Sequence, residues 1–458
     1  MQTAEVVICG AGIAGISAAF HLSVRCGVRN VVLVDQPPLA VTSDKSTECY
    51  RNWWPGPGDT MVRLMNRSID LLEELAEESG NRFVMNRNGY VYLTADPAKA
   101  AEMERTAREI AALGAGELRV HRGEPGAPGS AESYPPERFE TLDRSLTGAD
   151  LVLDRERILR RFPFLAPDVL AMLHPRRCGW LSAQQLGMYM LERAREHGVR
   201  VVPARVEGIE VRAGRVEAVH VAGETGTIAT RCFVNAAGPF AREMGRKSGV
   251  DLPLVNELHG KVTFDDELGV LPRELPLMIW SDPVELAWSA EEREELAQDP
   301  ELRWLTGTLP AGVHFRPEGG KDSRMLLLLW TYHTELSEPV FPPAFDPFYP
   351  EVVLRGLVRM VPGLAVYLER MRRPFVDGGY YCKTRENRAL IGPTPIAGNH
   401  LLCGLSGYGI MAAQAAAELL AAHITGSVLP SYAGEFLLSR YEDAAYRERV
   451  EGMVSGQL

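Results

Sequence analysis

Val6-Val7-Ile8-Cys9-Gly10-Ala11-Gly12-Ile13-Ala14-Gly15 decides how the chain begins to fold. A β-branched apolar run enters a Gly-x-Gly-x-x-Gly loop. A helical pattern follows, with Ile13, Ile16, Phe20 and Val24 on one face. A second apolar run, Val31-Val32-Leu33-Val34, closes on Asp35, twenty positions after Gly15 (35 − 15). Strand, glycine loop, helix, strand and acid is the order that a dinucleotide site requires. Gly10 permits the tight turn, Gly12 leaves room for a pyrophosphate, and Gly15 lets the helix approach the sheet. The helix start at Ile13 and Ala14 offers free N–H groups and partial positive charge to phosphates. Asp35, with Gln36 beside it, is placed for ribose hydroxyls.

Outward from this loop, the polar stretch Thr42-Ser43-Asp44-Lys45-Ser46-Thr47-Glu48-Cys49-Tyr50-Arg51 leads to Trp53 and Trp54. It has no helical or strand period. Hydroxyls, a lysine and an arginine beside a cofactor loop mark it as a candidate binding segment. Met61, Leu64, Met65, Ile69, Leu72 and Leu75 predict a helix over Thr60–Ser79, stopped by Gly80. Val91–Thr94 reads as a strand, Pro97–Leu113 as a helix, and Gly114–Thr147, rich in Gly, Pro, Ser and Glu, as a surface loop.

Ser182–Gly198 is amphipathic and helical, and Val199–Val202 is a strand. Val206–Val211 and Arg215–Val221 form a hairpin around Gly214. Cys232–Pro239 is a buried strand ending in Ala236-Ala237-Gly238, small enough for a cofactor to approach. The β-rich runs Leu252–Phe264 and Met325–His333 predict a different sheet, separated by an acidic helix, Ala290–Asp299. At the far end, Leu401-Leu402-Cys403 enters Gly404-Leu405-Ser406-Gly407-Tyr408-Gly409, and an alanine-rich helix runs from Ile410 to Ile424. This second glycine loop aims a second helix N-terminus at a ligand.

A formal net charge of −11 argues against a nucleic-acid or anionic-membrane surface. No stretch reaches the ~18 apolar residues of a spanning helix, and no basic and apolar leader precedes the first strand. The seven cysteines form no C-x-x-C pair, which disfavours a zinc site and fits reduced thiols. No His, Cys and carboxylate cluster has metal-ligand spacing, so no metal is expected. These features predict a cytoplasmic location.

The chain resembles the FAD-dependent amine and amino-acid oxidoreductases that include D-amino-acid oxidase, glycine oxidase and sarcosine oxidase. The matching stretches are Gly10–Gly15 with Asp35, Thr42–Arg51, Val234–Pro239, Tyr332-His333-Thr334 and Gly404–Gly409. The resemblance implies an α/β fold. An FAD-binding Rossmann-like domain of glutathione-reductase type (1–82, 178–250 and 379–458) would be interleaved with an antiparallel-sheet substrate domain (83–177 and 251–378, with an insertion at 265–323). It implies FAD contacts at Gly10, Gly12, Ile13, Ala14, Gly15, Asp35, Gln36, Ser43, Lys45, Ser46, Thr47, Val206, Ala236, Ala237, Gly238, Gly404, Ser406, Gly407, Tyr408, Gly409 and Ile410. It further implies hydride transfer from the carbon beside an amine nitrogen to flavin N5, with Arg51 holding a substrate carboxylate and His333 lining the site.

Three departures from the sarcosine-oxidase pattern bear on the chemistry. Met411 stands where a second carboxylate-binding lysine is expected. Leu329 stands where an oxygen-activating lysine is expected, with Lys261 as a possible substitute. Gly379 stands where a cysteine attaches the flavin, and Cys382 lies three residues away from that position. These departures predict non-covalent FAD and a dehydrogenase acting on a small-molecule amine or (N-methyl/D-)amino acid. Its electrons would pass to an acceptor protein or a quinone. The alternatives are a peroxide-forming oxidase and a non-catalytic flavin-binding assembly protein. Trp53 and Trp54 hint at a larger or more apolar substrate.

Overall fold

The computed structural model describes residues 2–37, 42–43, 45–123, 134–135, 139, 142–223, 226–333, 335–370 and 374–451. Val6–Cys9 is a fully buried strand of a six-stranded sheet. The strand order is Arg200–Pro203, Val31–Asp35, Val6–Cys9, Phe233–Asn235, Asn399–Cys403 and Leu390–Pro393. The first five run parallel and the last antiparallel. Side chains alternate between the two faces of a strand. Val6, Ile8, Val31 and Leu33 therefore point to one core, which the helices cover. Val7, Cys9, Val32 and Val34 point to another, covered by the four-stranded sheet of Gln2–Thr3, Gly226–Ala229, Arg215–Val221 and Val206–Arg212. Being apolar on both faces is what makes this run a central strand; each fully buried aliphatic side chain contributes about 1.5–3 kcal/mol.

The helix layer is Ile13–Phe20, Thr60–Ser79, Ala183–Glu196 and Gly409–Thr425. Thr60–Ser79 ends at Gly80, whose φ of 64° is the left-handed cap that glycine adopts without penalty. Ser182 caps Ala183–Glu196 by accepting a hydrogen bond from the Gln185 N–H. The alanines of Gly409–Thr425 let it pack directly on both Ile13–Phe20 and Thr60–Ser79.

A nine-stranded sheet forms the second layer system. Its order is Phe375–Lys383, Val255–Asp265, Met325–Leu329, His314–Pro317, Leu277–Trp280, Tyr90–Thr94, Ala171–Pro175, Ala149–Val152 and Leu118–His121. The expectation of an antiparallel sheet is corrected to a mixed one. Leu277–Trp280 runs parallel to Tyr90–Thr94, and Leu118–His121 parallel to Ala149–Val152. The segment 265–323 is not an appendage, because it supplies the central strands Leu277–Trp280 and His314–Pro317. Within Gly114–Thr147, expected as loop, Leu118–His121 is an edge strand, and 124–133 lies outside the described residues. The strand expected through Tyr332 and His333 stops at Leu329. Beyond it the chain turns to bury Trp330 and Tyr332 against one another and Tyr349, and Thr334 lies outside the described residues.

The nine-stranded sheet is two-faced. Val91, Leu93, Met278, Trp280, Phe315, Val262, Phe264, Leu326 and Leu328 pack beneath the helix Tyr349–Met360. The alternate positions carry Tyr90, Tyr92, His314, Arg316, His259, Lys261, Asp377 and Tyr381. Register puts them on one face: Tyr92 lies opposite Ile279, Ile279 opposite His314, and His314 opposite Leu329. Lys261 lies opposite Asp377, and His259 opposite Gly379. A buried sheet with one polar face needs polar partners on that side.

Among the described residues no helix is long and apolar enough to cross a membrane, and no group of His, Cys, Asp and Glu could hold a metal ion.

Candidate active site

A cavity of about 850 Å³ opens over the C-terminal ends of the six-stranded sheet. Its walls follow from backbone geometry. Gly10 has φ +108°, and a Cβ there would lie 2.2 Å from the Ala236 carbonyl oxygen. A Cβ on Gly15 would lie 1.8 Å from the Gly10 carbonyl oxygen, so only glycine lets the helix start this close to the turn. Gly12 leaves the wall bare, with Ser43 Oγ as its nearest neighbour at 3.4 Å. Ser43 Oγ accepts from the Ile13 N–H at 2.9 Å. Asp35 accepts from the Ala11 N–H at 2.7 Å and the Gln36 N–H at 2.8 Å. Burial raises its carboxyl above the usual range, and these two donors oppose the rise.

The predicted cofactor residues converge here. Gly10, Gly12, Ile13, Ala14, Asp35, Gln36, Ser43, Lys45, Ser46, Val206, Ala236, Ala237 and Gly238 line the cavity. So do Gly404, Ser406, Gly407, Gly409 and Ile410, and a Cβ on Gly409 would lie 3.9 Å from Ile13 Cγ2. Gly15, Thr47 and Tyr408 stand outside the lining. Gly15 packs behind the turn. Thr47 turns its carbonyl to Arg316, and Tyr408 is buried with its hydroxyl on the Asn387 carbonyl. Two bare glycine loops, each opening a helix, on the walls of one cleft fit a dinucleotide such as FAD.

The segment Lys45–Arg51 joins this cleft to the polar face of the nine-stranded sheet. Lys45 pairs with Asp377 at 2.9 Å. Glu48 faces Arg316 at 3.7 Å and accepts from the Ala183 N–H at 3.0 Å. Arg51, only 5% exposed, donates to the Tyr92 hydroxyl at 2.7 Å. Its guanidinium also lies 5.0 Å from the Trp54 ring and 5.7 Å from the Tyr90 ring. Aromatic faces and a phenol oxygen hold the planar guanidinium, a group whose fork of donors matches a carboxylate. Trp53 and Trp54 are core residues and do not line the cleft.

Two histidines that sequence reasoning passed over lie on the polar face. His259 stacks on Tyr381, a wall of the cleft, with centroids 3.9 Å apart. Its Nδ1 meets Thr331 Oγ1 at 2.8 Å and its Nε2 meets Glu257 at 3.4 Å. Burial lowers its pKa, against the pull of Glu257. Glu257 is held low: burial would raise it, but His259 and Lys383, the latter at 2.7 Å, outweigh that. His314 donates from Nδ1 to the Gly312 carbonyl at 2.7 Å. Burial pushes its pKa down to about 4, with His259 and Arg51 adding to the shift. The alternation Tyr90-Val91-Tyr92-Leu93 and Val313-His314-Phe315-Arg316 was the signal available for this face.

His333 is placed elsewhere. It is exposed, its ring packs against Trp304 and Tyr332, and it does not line the cleft. Lys261 is on the polar face, beside Leu329 on the neighbouring strand. Met411 is buried in the helix layer. A Cβ on Gly379 would come 3.2 Å from Lys45 Cβ, and Cys382 lines the cleft with its thiol pushed up to about 12 by burial.

A long two-loop cleft abutting a cationic and imidazole-bearing sheet face defines a flavin-type redox protein. Residues 5–423 match the FAD dependent oxidoreductase family, and the chain belongs to it. FAD is accordingly its cofactor. The chain is 28% identical over 279 residues to dimethylglycine dehydrogenase, mitochondrial, of Rattus norvegicus, covering 60% of this chain and 28% of that protein. It is 27% identical over 272 residues to sarcosine dehydrogenase, mitochondrial, of Mus musculus, covering 59% and 26%. The chain thus spans well under half the length of these relatives. Among solved structures, glycine oxidase from Geobacillus kaustophilus superposes with a TM-score of 0.71 at 16% identity, covering 96% of this chain and 99% of that one. L-proline dehydrogenase from P. horikoshii superposes with a TM-score of 0.70 at 18% identity, covering 99% and 100%. These two likenesses are of fold.

Proposed function

We propose that the protein oxidises the C–N bond of an N-methylated or other α-amino acid, with FAD held non-covalently, and passes the electrons to an acceptor other than oxygen. The observation that carries this reading is Arg51, a buried cation on the segment that joins the cleft to the polar sheet face, its guanidinium held against the Tyr92 hydroxyl and the Trp54 and Tyr90 rings. The names of the dehydrogenase relatives, dimethylglycine and sarcosine, agree with it. The six-stranded sheet with its two glycine loops is read as a nucleotide domain of glutathione-reductase type.

FAD, when bound, supplies the two-electron oxidant for a hydride leaving the carbon beside the amine nitrogen. The residues that would hold it are Gly10, Gly12, Ile13, Asp35, Ser43, Ala236 and the loop Gly404–Gly409. The start of the helix Gly409–Thr425 presents backbone N–H groups where negative charge can be stabilised. Arg51 orients the substrate through its carboxylate, and Tyr92, Tyr90 and Trp54 hold the guanidinium in place. His259 backs the cleft wall by stacking on Tyr381. Non-covalent attachment follows from Gly379 and from a Cys382 thiol that burial keeps protonated.

Leu329 on the polar face supplies no cation for a superoxide-like anion, which favours the dehydrogenase. Lys261 on the neighbouring strand favours the second reading, a peroxide-forming oxidase. Replacing Arg51 tests the clamp. Losing a buried charge-assisted contact costs about 2–5 kcal/mol, so Arg51→Met should weaken binding of N,N-dimethylglycine or sarcosine by at least ~30-fold while FAD remains bound. An unchanged affinity removes Arg51 from the site.

A further inference from the structure

We propose that His314 accepts a hydrogen bond from the ammonium N–H of the substrate, so that the site takes amino acids bearing an N–H and rejects quaternary ones. This rests on the reading of Arg51 as the carboxylate clamp. An α-amino acid anchored by its carboxylate presents its nitrogen one carbon further on, and a charged N–H there needs an acceptor.

The carboxylate and imidazole acceptors of the polar face, stronger partners for an ammonium than the phenols of Tyr90 and Tyr381, can be accounted for one by one. Asp377 is paired with Lys45 at 2.9 Å. Glu48 is taken by the Ala183 N–H and Arg316. Glu257 is taken by Lys383 and His259. His259 has both ring nitrogens engaged, by Thr331 and Glu257. The Tyr92 oxygen accepts from Arg51. Arg316 and Lys261 are cations and accept nothing.

His314 differs from all of these. The Gly312 oxygen can only accept, so Nδ1 carries the hydrogen, and in the neutral ring Nε2 carries a lone pair. Among the described residues Nε2 has no hydrogen-bond partner. The ring lies deep in the protein yet keeps some accessible surface, as Tyr92 does. Register puts them on the same face with Ile279 between, and Arg51 bonds to Tyr92. A ring flanked by the Arg51 guanidinium and buried this deep stays neutral across the physiological range, and so remains an acceptor.

The test is calorimetric titration of the dithionite-reduced holoenzyme, in which no turnover occurs. The three ligands are N,N-dimethylglycine, its nitrogen-free isostere isovalerate, and glycine betaine, which has no N–H. The wild-type protein should bind dimethylglycine about tenfold or more tighter than either of the others, as expected for a hydrogen bond to a charged group. His314→Phe should abolish that preference and leave isovalerate affinity unchanged. His314→Gln, which keeps an acceptor, should restore part of it. Betaine binding as tightly as dimethylglycine, or a preference intact in His314→Phe, overturns the proposal. Isovalerate that binds wild-type and Arg51→Met protein equally overturns the Arg51 reading instead.

Discussion

Gly15→Ala isolates the geometry on which the cofactor cleft depends. An added methyl would sit 1.8 Å from the Gly10 carbonyl oxygen and 2.9 Å from its carbon. Ordinary contact begins near 3.4 Å, so the helix Ile13–Phe20 and the turn must separate by about 1.6 Å (3.4 − 1.8). Neither side can yield freely. The Gly10 N–H is bonded to the Val34 carbonyl, and Ile16 and Ala18 are packed in the core behind the helix. Overpacking of this kind costs about 1–3 kcal/mol, equivalent to about five- to 150-fold in FAD affinity if the loss falls on the bound state. The assay is quenching of FAD fluorescence on titration into apoprotein, with the apoprotein melting temperature measured in parallel. Gly15→Ala should lower both. Gly12→Ala is the contrasting variant, because its methyl meets only Ser43 Oγ at 3.4 Å in an extended backbone. It should leave the apoprotein melting temperature alone and weaken FAD binding. A Gly15→Ala protein with wild-type affinity and stability would refute the packing reasoning. A Gly12→Ala protein with wild-type affinity would show that the cofactor does not approach that wall.

Other consequences concern stability. Asp150 is fully buried and receives Arg176 at 2.6 Å, Arg119 at 2.8 and 2.9 Å, and His121 at 2.9 Å. Asp150→Asn removes a buried carboxylate shared by Arg176, Arg119 and His121 and should cost about 3–5 kcal/mol in urea denaturation; a loss under 1 kcal/mol would contradict this. His21 is buried beside Gln414, and burial lowers its pKa from 6.5 to about 4. The unfolded chain therefore takes the proton first, and stability falls as pH drops through 6.5 and levels off near 4. At ~1.4 kcal/mol per pH unit the loss is about 3 kcal/mol. His21→Leu should reduce the slope of that part of the stability profile, leaving the share due to other buried histidines such as His314, and an unchanged slope would show that His21 does not contribute.

The cofactor cleft was legible because each of its glycines answers a local backbone demand. Gly10, Gly12 and Gly15 sit within six residues, and the strand apolar on both faces that precedes them already implies a parallel sheet covered on both sides. The loop at Gly404–Gly409 repeats the same signal. The polar sheet face was harder. It unites Tyr92, His314, Lys261 and Tyr381 from four strands spread over nearly 300 residues, and no local pattern reports that pairing. Phe315 and Arg316 do alternate in and out, so the strand His314–Pro317 was readable as an element, yet a neighbouring loop rich in proline and glycine disguised it as part of an insertion. His333 misled for a related reason. It was aligned through a strand that ends at Leu329, and the turn that buries Trp330 and Tyr332 sends it outward.

The central claim, an FAD enzyme that oxidises amino-acid C–N bonds without using oxygen, meets its most direct test in one cuvette. The visible spectrum of the FAD-loaded protein is followed during anaerobic addition of N,N-dimethylglycine, sarcosine and a panel of other amino acids. The predicted result is bleaching of the flavin band by at least one N-methylated or other α-amino acid, followed by slow recovery when the cuvette is opened to air. Rapid recovery with release of peroxide would contradict the dehydrogenase assignment, and a bound flavin that no amino acid bleaches would contradict the proposed activity itself.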